Sequence, residues 1–304
     1  MKVTQLSGGV GGARMARGFA ALDEVDLAVI VNVGDDQLLH GLHVSPDLDT
    51  VVYTIAEIEG PMGWGRADDT FNFNDELKRF HIDNEFRLGD KDLAVKIYRT
   101  GRMAAGASLS EATAEIAEAF GVEAKILPVS DDAVRTEILV DKGGWLSFSE
   151  YFVARGHRDE VEQVRFSGAE ESTPAPQVIE ALRAADIVVI GPSNPPLSIW
   201  PVLAVPGVEE AVQSHPRVVC VSPLVGGKAL KGPADRVLSS LGLGTGNQAV
   251  VAAYESLVDV LVVHDSDAAD GDLIDAVTVI AENTLIREAG PAADLARKVV
   301  DLWH

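Results

Sequence analysis

"KVTQLSGGVGGARMARGFAALDEVDLAVIVNVGDD", Lys2 to Asp36, decides the fold. "KVTQLSGG" reads as a strand running into a glycine-rich turn, "ARMARGFAALD" as a helix, and "VDLAVIVNVGD" as a second, almost continuously apolar strand. An unbroken apolar run of that length fits a strand covered on both faces. Strand, helix and strand in so short a span make a βαβ unit, and so a parallel sheet.

The same rhythm returns late in the chain. "PQVIEALRAA" is a helix, and "DIVVIGPSN", "RVVCVSPLVGG" and "VDVLVVHDSD" are buried strands. "AVTVIAENT" is a further strand, and "AADLARKVVDLWH" closes as an amphipathic helix. Between the halves the pattern is first helical. From Ala124 to Gly168 it becomes short alternating runs ("AKILPVS", "VRTEILV", "GWLSFSEYFV", "VEQVRFSG") of antiparallel type. The expectation is one α/β domain of 304 residues. Its Rossmann-like, mainly parallel core spans about 1–50 and 170–304, with a helical plus antiparallel β insertion over about 51–169.

The formal net charge is −22, from 47 acidic and 25 basic residues. That excludes nonspecific nucleic-acid or anionic-membrane binding, but not a local nucleotide site built from backbone N–H groups and a few cations. Mean hydropathy is +0.13, and no apolar run approaches the ~18 residues of a membrane span. The lone Cys220 sits in an apolar strand and cannot form an internal disulfide, so a cytoplasmic protein is expected.

The candidate chemistry lies in loops after the predicted strands, which a parallel sheet brings to one edge. "SGGVGGAR" offers Gly8, Gly9, Gly11, Gly12 and Arg14 to a phosphate at a helix N-terminus. It is neither G-x-G-x-x-G nor a P-loop, since Gly12 is followed by Ala-Arg. "NVGDDQLLHGLHVSPDLD" concentrates Asn32, Asp35, Asp36, Asp47 and Asp49, flanked by His40 and His43. Asp47 alone is explained by an N-cap; clustered carboxylates suit Mg²⁺ shared with substrate phosphates, or a polyhydroxylated substrate. "FRLGDKDLA" adds Arg87, Asp90 and Asp92, and "SDDAVRT" adds Asp131, Asp132 and Arg135; helix-start charges and Asp-rich turns also explain both. "GPSNPPLSI" presents Ser193 and Asn194, and "SPLVGGKALKGPADR" presents Lys228 and Lys231 beside a Gly-Gly turn. Together the loops predict one cleft for a phosphorylated substrate.

"GGVGGAR", "NVGDD", "HGLHVSPDLDTVVYT", "RLGDKDLA", "DDAVRT", "EYFV", "GPSNPPLSI" and "SPLVGGKALKGPADR" follow one another from about residue 1 to 265. In that order they resemble the 2-phospho-L-lactate transferase (CofD-like) family. The resemblance implies a Mg²⁺-dependent, typically dimeric enzyme of coenzyme F-420 biosynthesis. Its donor is a guanosine diphosphate linked to a phospholactyl or phosphoenolpyruvyl group, its acceptor the ribityl hydroxyl of the deazaflavin FO, and its leaving product GMP. On that chemistry Gly8, Gly9, Gly11, Gly12, Arg14, Asn32, His40, Arg87, Ser193, Asn194, Lys228 and Lys231 are expected at substrate, individual roles that the resemblance alone does not assign. Asp36 and Asp49 go to Mg²⁺, and Asp35, Asp36 and Asp47 to catalysis. Trp64 is a candidate for stacking on the deazaflavin, or else a buried anchor. Two alternatives stay open: a regulatory nucleotide-sugar-binding protein like the gluconeogenesis factors, and a dinucleotide-dependent oxidoreductase, which the missing G-x-G-x-x-G disfavours.

Overall fold

In the computed structural model, Lys2–Ser7 (β1), Gly9–Ala20 (α1) and Asp26–Val31 (β2) form the expected unit. β1 and β2 pair in parallel from Lys2↔Asp26 to Ser7↔Val31. The structure describes residues 1–82, 86–141 and 143–303. In each strand only the first residue is exposed and the next five are buried, which is why the sequence shows no alternation.

Five more strands complete the sheet: Lys125–Pro128 (β3), Ile187–Ile190 (β4), Val218–Val221 (β5), Val260–His264 (β6) and Thr278–Glu282 (β7). The spatial order is β7-β6-β5-β4-β1-β2-β3, parallel throughout. The chain thus winds outward from β1 in both directions, so the order reverses between β1 and β4. A doubly wound sheet opens its ligand crevice at that point, beyond the carboxyl ends of the strands. Among the described residues no helix is long and apolar enough to cross a membrane.

One sequence-based expectation needs correcting. Lys125–Pro128, read as the start of an antiparallel excursion, pairs in parallel with β2 and closes one edge of the main sheet. Its Ile126 and Leu127 are buried in the main core, so the pairing is set by where that apolar pair is covered. The core therefore takes a strand from inside the stretch 51–169. The remaining three runs do form an antiparallel sheet, Gly144–Ser147, Arg135–Val140 and Val161–Ser167, with the middle strand alternately buried. A small second core, including Ile138, Tyr151 and Val161, packs this sheet on Leu197 and Val237. The antiparallel sheet thereby braces the loop that follows β4.

Two helices of the middle region bear on the site. Pro46–Ile55 (α2) starts with Pro at its first position, where no backbone donor is needed, and carries Asp47 and Asp49 in its first turn. Asp90–Ala104 (α3) buries Asp92, Val95, Lys96 and Arg99. That spacing is the i, i+3, i+4, i+7 stripe of a helix face, here carrying three charged residues.

Candidate active site

Only Gly8 lies in the turn after β1; Gly9, Gly11 and Gly12, read from the sequence as a turn, form the start of α1, which meets the loop after β4. A Cβ on Gly11 would lie 2.0 Å from the Pro192 carbonyl oxygen, and one on Gly12 would lie 2.3 Å from Ser7 Oγ and 2.7 Å from Ser193 Oγ. These two glycines let the first turn of α1 touch that loop. Ser193 Oγ donates to the Gly8 carbonyl at 2.7 Å and accepts from the Gly8 N–H at 3.2 Å. Asn194 accepts from Leu197 N–H at 3.4 Å and starts the turn over Pro195–Ile199. Gly9 differs from the others. Its φ is +64°, and a Cβ there would meet nothing within 4 Å, so open space lies over it.

α2 is docked across the start of α1. Asp47 Oδ1 accepts the Gly9 N–H at 2.8 Å, and Asp47 Oδ2 accepts from Asn32 Nδ2 at 2.9 Å. Asn32 in turn accepts the Gly34 N–H at 2.7 Å, fixing the turn that presents Asp35 and Asp36. Asp36 Oδ2 is held by Ser45 Oγ at 2.7 Å and His43 Nε2 at 2.9 Å. The short hairpin Gln37–Leu39 and Leu42–Val44 brings His43 back to it. Asp36 Oδ1 and Asp35 Oδ1 are buried, and neither has a hydrogen-bond partner among the described residues.

Three buried carboxylates at one spot repel each other. Burial, then Asp47 and Asp36, push Asp35 well above the usual carboxylate range, against the Asn32 amide. Asp47 is pushed up to about 6 by burial and by Asp36, with Asn32 and Gly9 working the other way. Asp35 Oδ1 and Asp36 Oδ1, buried and without a partner among the described residues, are the atoms here that could take a cation. Among the described residues no three acidic, His or Cys side chains already converge as a full ligand set. A Mg²⁺ held by these oxygens would need water and substrate oxygens to complete its coordination.

Asp49 faces elsewhere. Its carboxylate takes both ends of the Arg99 guanidinium, at 2.5 and 3.2 Å, and Lys96 Nζ at 2.8 Å. Lys96 also bonds Asp92, which accepts from Tyr53 Oη at 2.7 Å. Although burial acts to raise it, the Arg99 and Lys96 charges hold Asp49 below the usual range. Two buried cations thus face the carboxylate that the sequence reading offered to Mg²⁺.

The other predicted residues divide. Arg14 and Lys231 flank the loop over residues 62–64, Lys231 Nζ donating to the Met62 carbonyl at 2.6 Å. Lys228 is exposed and 3.8 Å from Asp235. Arg87 stacks 4.6 Å over the Phe71 ring and lies 3.6 Å from Asp75, on exposed surface. His40 adopts φ +53° at the hairpin tip and meets Phe73 edge-on. Trp64 is 50% exposed, so it is no buried anchor. Apart from Asp92, the acids of the third and fourth motifs tie backbone together. Asp90 accepts from Asn72 and Phe73 N–H, Asp131 from Ser110, and Asp132 from Thr173.

The model of the 2-phospho-L-lactate transferase CofD family matches residues 3–286. The chain belongs to the CofD family. A 2-phospho-L-lactate transferase of Methanopyrus kandleri is 40% identical over 305 residues, covering 99% of this chain and 97% of that one. A phosphoenolpyruvate transferase of Streptomyces griseus is 38% identical over 312 residues, covering 99% and 98%. Among solved structures, a member of the UPF0052 family from Bacillus halodurans superposes with a TM-score of 0.68 over 99% of both chains. Its 18% identity makes this a likeness of fold alone. In this CofD chain the residues that sequence reading missed are Lys96 and Arg99, which neutralise Asp49, and Ser45, which holds Asp36. The signal for the first two was present: charges at 92, 96 and 99 stand where a helix face should be apolar.

Proposed function

We propose that this CofD-family chain transfers a phospholactyl or phosphoenolpyruvyl group from a guanosine diphosphate-linked donor to the ribityl hydroxyl of the deazaflavin FO. GMP is released, in the biosynthesis of coenzyme F-420. One observation carries the reading. Asp35, Asp36 and Asp47 are buried together against Gly9 at the switch point of the sheet, in a chain of this family.

The hydroxyl oxygen attacks the phosphorus that bears the three-carbon acid, and the bond from that phosphorus to the GMP oxygen breaks. Such a displacement needs alignment and charge neutralisation more than covalent participation. Gly9, with open space above its left-handed backbone, leaves room for the donor's phosphates. Asp47, pinned to Gly9 and Asn32, sets the distance between α2 and the start of α1. Asp36 Oδ1 and Asp35 Oδ1 would hold Mg²⁺. Bound there, the ion would neutralise phosphate charge and draw Asp35 back to the ionised form. Asp47, which is not assigned to the ion, is the carboxylate left to take the hydroxyl proton.

Incubation of the protein with FO, Mg²⁺ and each guanylated donor, followed by mass, tests the reading. Appearance of the coupled product with stoichiometric GMP supports it and identifies the acid. No product from either donor, with nucleotide demonstrably bound, would replace it by a binding role on the same scaffold.

A further inference from the structure

The two oxygens of the Asp36 carboxylate stand in opposite conditions. Oδ2 takes the Ser45 hydroxyl at 2.7 Å and meets His43 Nε2 at 2.9 Å. Oδ1 is buried and has no partner among the described residues. An ionised carboxylate only accepts, and each of its oxygens has two lone pairs. His43 Nε2 is therefore the donor in its bond, and the two donors together use both lone pairs of Oδ2. The accepting capacity of Oδ1 is left whole.

Both donors are aimed by the fold. Ser45 is the N-cap of α2, yet its side chain caps nothing. A serine there ordinarily accepts a backbone N–H of the first turn, which stabilises the helix. This hydroxyl is turned to Asp36 instead. His43 is fixed from two sides. It stands opposite Leu38 in the hairpin of Gln37–Leu39 with Leu42–Val44. Its backbone N–H donates at 2.8 Å to Thr100 Oγ1, which donates at 2.7 Å to the Lys96 carbonyl of α3. Asp36 and Ser45 are buried and the His43 side chain is only 16% exposed, so little water competes for these bonds.

The arrangement bears on which ion fits. A carboxylate that grips an ion with both oxygens spends a lone pair on each, and Asp36 has none left on Oδ2. Ca²⁺ takes about six to eight oxygens and readily accepts such a two-oxygen grip. Mg²⁺ demands a near-ideal octahedron, keeps several waters and takes only one or two carboxylates. We propose that His43 and Ser45 are positioning residues that restrict Asp36 to ligation through Oδ1 alone, and so set a preference for Mg²⁺ over Ca²⁺. This role rests on the Mg²⁺ assignment in the transferase reading above, to which it adds the choice of ion.

Calorimetric titration with Mg²⁺ and, separately, with Ca²⁺ tests it, in the wild type, Ser45→Ala, His43→Phe and His43→Gln. Removing a partner that orients a metal ligand costs about 10- to 100-fold in metal affinity. That loss is expected for Mg²⁺ in Ser45→Ala and His43→Phe, while Ca²⁺ affinity holds or rises, because the freed lone pair lets Asp36 close on the larger ion with both oxygens. His43→Gln keeps an N–H donor and should bind Mg²⁺ within about threefold of the wild type. Where His43→Phe fails to fold, Ser45→Ala and His43→Gln carry the comparison. Equal weakening for the two ions in a folded variant, the mark of a merely structural role, would overturn the proposal. Unchanged Mg²⁺ affinity in both Ser45→Ala and His43→Phe would overturn it too, as would a wild type that takes Ca²⁺ as tightly as Mg²⁺. A wild type that binds neither ion would instead bring down the Mg²⁺ assignment itself, and this role with it.

Discussion

Asp49→Asn separates the two roles open to this residue. In the structure Asp49 and Asp92 balance Lys96 and Arg99, two charges of each sign, all four residues buried. Neutralising Asp49 leaves one uncompensated positive charge, with Arg99 only 1% exposed. Breaking one partner of a buried pair costs about 3–5 kcal/mol, because the desolvated remainder loses its counter-charge. Urea unfolding at pH 7 should therefore show the midpoint of Asp49→Asn falling by that free energy, with the slope unchanged. The loss should be the same with Mg²⁺ and with chelator, and any Mg²⁺-dependent stabilisation should be equal in variant and wild type. The pH dependence follows from the lowered pKa of Asp49. Its folded value lies below the ~3.9 of an unfolded aspartate, so its contribution is complete above about pH 4 and is lost as the pH falls further. The variant should lack that acid-side loss. A variant as stable as the wild type, but blind to Mg²⁺, would refute the reasoning and return Asp49 to the metal.

Three further outcomes are expected. Asp47 has its pKa raised from an ordinary value to about 6, so ionising it opposes folding: stability should decline by about 3 kcal/mol as pH rises from about 4 through 6 without metal. Urea titrations of Asp47→Asn should lack that decline, and a parallel pH profile in variant and wild type would contradict the clustered-carboxylate picture. Gly11→Ala puts a methyl 2.0 Å from the Pro192 oxygen and should cost about 1–3 kcal/mol or prevent folding, whereas Gly9→Ala meets no atom and should cost about 1–2 kcal/mol of backbone strain, as thermal unfolding would show. Asp36→Asn should abolish Mg²⁺-dependent thermal stabilisation while the apo protein is no less stable at about pH 8; persistence of the Mg²⁺ shift would remove Asp36 from the metal site.

Much of the fold was legible because its causes are local. An unbroken run of branched apolar residues cannot sit at a surface, and the burial of Leu27 through Val31 on both faces is the reason that run reads as an inner strand. Gly8–Gly9 before a helix-forming run and Pro46 before Asp47 mark helix starts through backbone geometry alone. The loop position after β2 and the start of α2 grouped Asp35, Asp36, Asp47 and Asp49, but the structure turns Asp49 away to Arg99 and Lys96. Sequence could not say that Lys125–Pro128 would lie beside β2, because a four-residue apolar run pairs with whichever edge covers it.

The same limit explains the site. That carboxylates gather after β2, that glycines lead from β1 into α1 and that the sheet is parallel were determined by the sequence itself, since each depends on neighbours a few positions away. Only the tertiary structure decided which carboxylate meets which charge. Asp47 and Asp49 are two residues apart on one helix and so point differently, one to Gly9 and Asn32, the other to Arg99 fifty positions on. The state of a buried charge is set by the group brought opposite it from a distant part of the chain, and no spacing along the sequence encodes that meeting.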